Sequence, residues 1–156
     1  MDAHPLSRAN TLPGNLLRRC HQISVAIFLR KCEVFQLTQL QYVMLSALEE
    51  LGPLDQVTLG RQTALDRNTV AGVVRKLENR GLVSRRRNPE DRRAMRVTIT
   101  EAGRELRARV APLVEEVQEE ILAPLPPDDR KTLGRLLKRI ADEHNHRSQV
   151  PIVQAH

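Results

Sequence analysis

Between Asp66 and Thr100 the hydrophobic pattern changes period once, from helical to alternating, and this switch constrains the fold more than any other feature. Asp66 is followed by RNTVAGVVRKLENR, in which Val70, Val73, Val74 and Leu77 recur at the spacing of one helical face. Asp66 suits an N-cap, and Gly81 suits the left-handed position after the last turn. LVSRRR then enters the turn-rich NPEDRR and leaves through AMRVTIT, where Met95, Val97 and Ile99 alternate with Arg96 and Thr98. A capped amphipathic helix running directly into a β-hairpin predicts a helix with a wing.

The flanking segments are helical in pattern. Residues 1–12 read as a flexible N-terminal arm. Pro13-Gly14-Asn15 opens a first helix with Leu16, Cys20, Ile23, Ile27 and Val34 on its apolar spacing. Thr38-Gln39-Leu40-Gln41 reads as a capping box for a second, running through Tyr42, Leu45, Leu48 and Leu51 until Gly52-Pro53 stops it. Asp55 caps a short third helix, with Val57, Leu59 and Ala64 as its expected buried positions. Thr100 caps a long helix carrying Leu106, Val110, Leu113, Val117 and Ile121; Pro112 removes the donor for the carbonyl of Ala108 and predicts a kink. After Pro124, Pro126 and Pro127 a last helix is expected to bury Leu133, Leu136, Leu137 and Ile140. The fold class is therefore mainly α with a small β-hairpin wing, a winged helix-turn-helix with further helices around it.

Charge locates the working surface. Residues 61–100 hold eleven basic residues against four acids, a net +7, while the rest of the chain sums to −1. A solvated face normally mixes signs, so this one predicts a polyanionic partner. The three aromatic residues, Phe28, Phe35 and Tyr42, lie outside the basic segment. Binding of single strands by base stacking is therefore disfavoured, and duplex DNA is the expected partner. Arg67, Asn68 and Thr69 stand at the N-terminal end of the candidate recognition helix, where base edges lie. Arg matches guanine, Asn matches adenine, and a Thr methyl meets thymine. Arg75, with Lys76, and Arg61 from the preceding helix are placed for phosphates. Asp91, Arg92 and Arg93 at the hairpin tip fit a wing entering a minor groove, with the carboxylate orienting a guanidinium.

Other chemistries find no support. No nucleotide-binding, nucleophile-elbow or zinc-protease motif occurs, and the five histidines have no ligand spacing. No catalytic residue, metal site or cofactor is expected, and the chain does not read as an enzyme. No apolar run approaches the ~18 residues of a membrane span. The N-terminal MDAHPLSRANTLPGN lacks the layout of a signal peptide, so the expected compartment is the cytoplasm. Cys20 and Cys32, about 18 Å apart on one helix, are too distant to bridge within a chain.

The stretch LDRNTVAGVVRKLENRGLVSRRRNPEDRRAMRVTITEAG, with its Asp91-x-Arg93 wing and closing Thr100–Gly103, resembles the MarR family of transcriptional regulators, and the likeness extends over 13–146. That resemblance implies a winged-helix homodimer, with residues 13–36 and 101–146 as dimerisation helices, 38–100 as the DNA-binding lobe and 147–156 as a C-terminal tail. It also implies a near-palindromic operator and repression released by a small ligand. PGNLLRRCHQ and LDQVTLGRQTALDRNTV are similar to the branch that responds to aromatic carboxylic acids such as protocatechuate. The branch's carboxylate-binding arginine falls at Arg18 and its histidine at Ser24, with His21 placed to take over that contact. Arg18, His21 and Ser24 share one helical face. The effector is expected to be a free aromatic acid or its coenzyme A thioester. The alternative within the same family is a thiol-based redox-sensing repressor using Cys20.

Overall fold

Four of the expected helix starts are made by the side chain that the local sequence offers. Thr38 accepts from Gln41 N at 3.3 Å while Gln41 Oε1 accepts from Thr38 N at 2.9 Å, a reciprocal capping box. Asp55 accepts from Thr58 N, Asp66 from Asn68 N and Thr69 N, and Thr100 from Gly103 N. The computed structural model describes residues 5–91 and 95–153. In chain order its elements are α1 (Pro5–Thr11), α2 (Pro13–Lys31), α3 (Gln39–Leu51), β1 (Leu54–Asp55), α4 (Gln56–Thr63), α5 (Arg67–Asn79), β2 (Val83–Arg87), β3 (Met95–Ile99), α6 (Glu101–Leu122) and α7 (Pro127–Glu143).

Helix α5 lays Val70, Val73, Val74 and Leu77 on a core shared with Met44, Leu45 and Leu48 of α3, Leu59 of α4, and Val97 and Ile99 of β3. Two glycines set how closely the backbones meet. A Cβ on Gly60 would stand 2.8 Å from the carbonyl oxygen of Leu65, and one on Gly103 would stand 2.2 Å from that of Leu82. Gly60 thus fixes α4 against the turn into α5, and Gly103 seats α6 on the turn leaving it. Gly81, at φ +69°, holds the left-handed position expected of it. Helix α6 then crosses back over α2, burying Val110 and Val117.

The structure departs from the sequence expectations in several places. The loose-arm reading is corrected over Pro5–Thr11, which form α1: Asn15 reaches back from α2 to donate to Ala9 O and Asn10 Oδ1, closing the joint between the helices. The hairpin gains a third strand, because Leu54 and Asp55 pair antiparallel with Val97 and Arg96, giving the order β1-β3-β2. Helix α6 is continuous from Glu101 to Leu122, with Pro112 inside it. Val57 and Ala64 are exposed, so Leu59 alone of the three expected core positions of α4 is buried. Leu136, Leu137 and Ile140 of α7 are 41–51 % exposed, not buried within the chain. Beyond α7 the tail folds back, with the Asn145 side chain donating to Ile152 O at 2.9 Å and accepting from Ile152 N at 2.8 Å.

Candidate nucleic-acid interface

The recognition helix presents its first turn in a fixed conformation. Asp66 Oδ1 accepts from the backbone of Asn68 and Thr69 at 2.9 and 3.0 Å, and Oδ2 accepts from the Thr69 hydroxyl. The Thr69 hydroxyl and these amides hold the Asp66 carboxyl below its ordinary range. Thr69 has therefore committed its hydroxyl to the cap, leaving its methyl as the group it can offer a base. Arg67 and Asn68 are exposed, and their side chains bond to nothing among the described residues. Arg61 in the last turn of α4 and Arg75 in α5 are likewise exposed and uncommitted there.

Not every cation in the basic segment is available. Arg80 donates from both terminal nitrogens to the carbonyls of Gln36 and Phe35, at 2.7 and 2.9 Å, tying the end of α5 to the turn after α2. The pleat puts Arg85 on the face of buried Val83, where it meets Glu78 of α5 at 2.6 and 2.9 Å. That hydrogen bond holds the Glu78 carboxyl below its ordinary range. Arg96 lies 3.7 Å from Glu90. Arg86 and Arg87 of β2 are exposed without partners among the described residues, and the sequence reading did not single them out as sites. Strand alternation applied to SRRR separates Arg86 from Arg85 and was the signal available for it. At the wing, Asn88 Oδ1 accepts from Glu90 N, and Asp91 is exposed and engaged rather than free. Arg92 and Arg93 lie outside the described residues.

A pocket of about 340 Å³ opens beside this surface, between α2, the start of α3 and α5. His21, Val25 and Leu29 line it from α2, Thr38 through Gln41 from the α3 cap, and Val73 and Lys76 from α5. Of the expected ligand residues, only His21 reaches the wall. Arg18, a turn earlier on α2, donates to Asn15 Oδ1 at 2.8 and 3.1 Å and to Gln22 Oε1 at 3.2 Å. Both partners are neutral amides, so its charge is oriented but not neutralised. Ser24 is half-buried, adjacent to pocket-lining Val25. Cys32 is buried, and burial pushes its thiol up, away from the reactive thiolate; Cys20 is exposed on α2. Among the described residues no cluster of three or more His, Cys, Asp or Glu is placed to hold a metal, and no helix is long and apolar enough to cross a membrane.

A capped recognition helix, a three-stranded wing and a long helix packed behind them define a winged helix-turn-helix protein. Residues 37–95 match the model of the MarR family. The chain is 36 % identical over 129 residues to the HTH-type transcriptional repressor NicR of Pseudomonas putida, spanning 83 % of this chain and 82 % of the relative. Among solved structures it is similar to BpsR of Bordetella bronchiseptica, whose DNA binding is regulated by 6-hydroxynicotinic acid. The TM-score is 0.82 at 34 % identity, over 91 % of this chain and 99 % of that one. It is also similar to the transcriptional repressor CouR bound to a 23-mer DNA duplex, with a TM-score of 0.81 at 28 % identity over 90 % of this chain and 99 % of that one. The chain belongs to the MarR family of transcriptional regulators.

Proposed function

We propose that this protein is a homodimeric repressor that binds a near-palindromic duplex operator and is released by a small aromatic carboxylate. The observation that carries this reading is that one helix, α5, presents uncommitted Arg67 and Asn68 at its N-terminus and walls a pocket with Val73 and Lys76 further along. A ligand in that pocket therefore touches the element that would touch DNA. The DNA-bound CouR and the 6-hydroxynicotinic acid control of BpsR support both halves of the reading.

In this account Arg67, Asn68 and the Thr69 methyl read base edges, while Arg61 and Arg75 hold phosphates. Asp91, Arg92 and Arg93 serve the wing. Arg18, His21 and Ser24 line the approach to the effector, and Arg18, oriented by neutral amides, meets its carboxylate. The effector acts only through a difference in affinity between the DNA-competent and released arrangements. Two recognition helices related by a two-fold axis require a dimer, and the exposed apolar residues of α2 and α7 provide its interface.

The test is fluorescence anisotropy on a duplex taken from the control region beside the protein's own gene, with 6-hydroxynicotinic acid and 3,4-dihydroxybenzoate as trial effectors. Salt-sensitive binding reversed by either acid is expected. Binding that neither these nor other aromatic acids reverse would remove the effector half, and no binding at low salt would remove the DNA half.

A further inference from the structure

We propose that Lys76 is the cationic pole of the pocket and makes the site selective for the free acid over derivatives whose carboxylate is masked, amides and thioesters among them. The proposal rests on the effector reading above and deepens it. Of the side chains lining the pocket, His21 and Lys76 are the titratable ones; Val25, Leu29, Leu40 and Val73 are apolar. Gln41 has turned its Oε1 to the backbone of Thr38, which leaves it a neutral amide nitrogen and no charge to offer a ligand. Lys76 has no hydrogen bond or ion pair among the described residues, so none of their carboxylates competes for it.

An aromatic ring among the apolar side chains would leave a carboxylate to be met by the lysine ammonium from α5 while Arg18 approaches it from α2, each a charge-assisted contact. Converting the acid to a thioester replaces one carboxylate oxygen by sulfur and abolishes the charge of the carboxylate itself, whatever charge the thiol partner carries elsewhere. The thioester therefore forfeits this contact.

The position of Lys76 also makes it a coupling residue. It lies nine residues, ~13.5 Å, along α5 from Arg67, while His21 belongs to α2. A carboxylate held by Lys76, on a ring that also meets α2, ties the recognition helix to the helical region. Arg18 contributes from α2 alone and has no such leverage on α5.

Calorimetric titration of the full-length protein without DNA separates the possibilities, using 6-hydroxynicotinic acid, 3,4-dihydroxybenzoate and the carboxamide of each. The wild type is expected to bind an acid at least ~10-fold more tightly than its amide, the scale of one hydrogen bond to a charged group. Lys76→Met should lower acid affinity by ~10-fold or more and leave amide affinity unchanged. Lys76→Arg, which keeps the charge, should restore most of the acid preference. Acid affinity unchanged in Lys76→Met overturns the assignment, and so does equal loss of acid and amide, which would mark a purely structural role. Failure of these and other aromatic acids to bind the wild type overturns it together with the effector reading, whereas the preceding two outcomes leave that reading standing.

Discussion

Helices α5 and α7 are written in the same amphipathic code and come to different ends. In α5 the stripe Val70, Val73, Val74 and Leu77 is buried, covered by α3, α4 and β2 of the same chain. In α7 the stripe Leu133, Leu136, Leu137 and Ile140 has no such cover, and three of the four are exposed by two-fifths or more. The main packing of α7 is on the 3₁₀ turn that follows it. Burying a large aliphatic side chain is worth about 1.5–3 kcal/mol, so leaving this stripe in water forgoes several kcal/mol. The winged-helix lobe closes its core within one chain; the helical region, with Leu16 and Ile23 of α2 also exposed, does not, as the proposed dimer requires.

The largest effect that tests this contrast is Leu77→Ala. Removing a fully buried side chain from the lobe should cost about 2–5 kcal/mol in denaturant unfolding, whereas Leu136→Ala measured below the dimerisation concentration should cost far less. Next comes Arg67→Ala, expected to weaken operator binding by about 1–3 kcal/mol in a mobility-shift titration while leaving the unfolding curve in place. If its stability falls instead, Arg67 belongs to the fold rather than the interface. Arg80 should behave in the opposite way, because its guanidinium serves the carbonyls of Phe35 and Gln36: Arg80→Ala is expected to lose about 1 kcal/mol of stability. A loss of DNA affinity without loss of stability would instead place Arg80 at the interface.

The smallest effect is acid sensitivity. Asp66 and Glu78 both have carboxyl groups held below their ordinary values of 3.8 and 4.5, the first by Thr69 and the second by Arg85. A group depressed in the folded state binds protons more readily when unfolded. Its stabilising contribution is thus present above the ordinary value and is lost as pH falls through the folded one. Urea melts should hold steady from pH 7 to about 5 and weaken below pH 4, and Asp66→Asn should flatten part of that decline.

What was legible in the sequence was what is local. The caps at Thr38, Asp55, Asp66 and Thr100 and the glycine at 81 each depend on residues within one turn, and each was visible as a short motif. Strand β1 was not, because two residues between Pro53 and an N-cap carry no period; its pairing depends on β3, some forty residues away. Nor was the role of Arg80, whose partners lie 44 and 45 residues earlier, or that of Arg85, which the pleat turns toward Glu78. Charge counting finds the basic segment but cannot distinguish an arginine facing solvent from one bound to the fold. The same limit applied to α7, where a helical stripe announces burial without saying against which chain.

Sedimentation at micromolar concentration tests that point most directly, with the wild type and a Leu137→Glu, Ile140→Glu double variant run beside a labelled duplex. The account predicts a wild-type mass of twice the 17.7 kDa chain, with both the dimer and duplex binding lost in the variant while its lobe keeps its folded spectrum. A wild type that sediments as a single chain and still binds the duplex would contradict it.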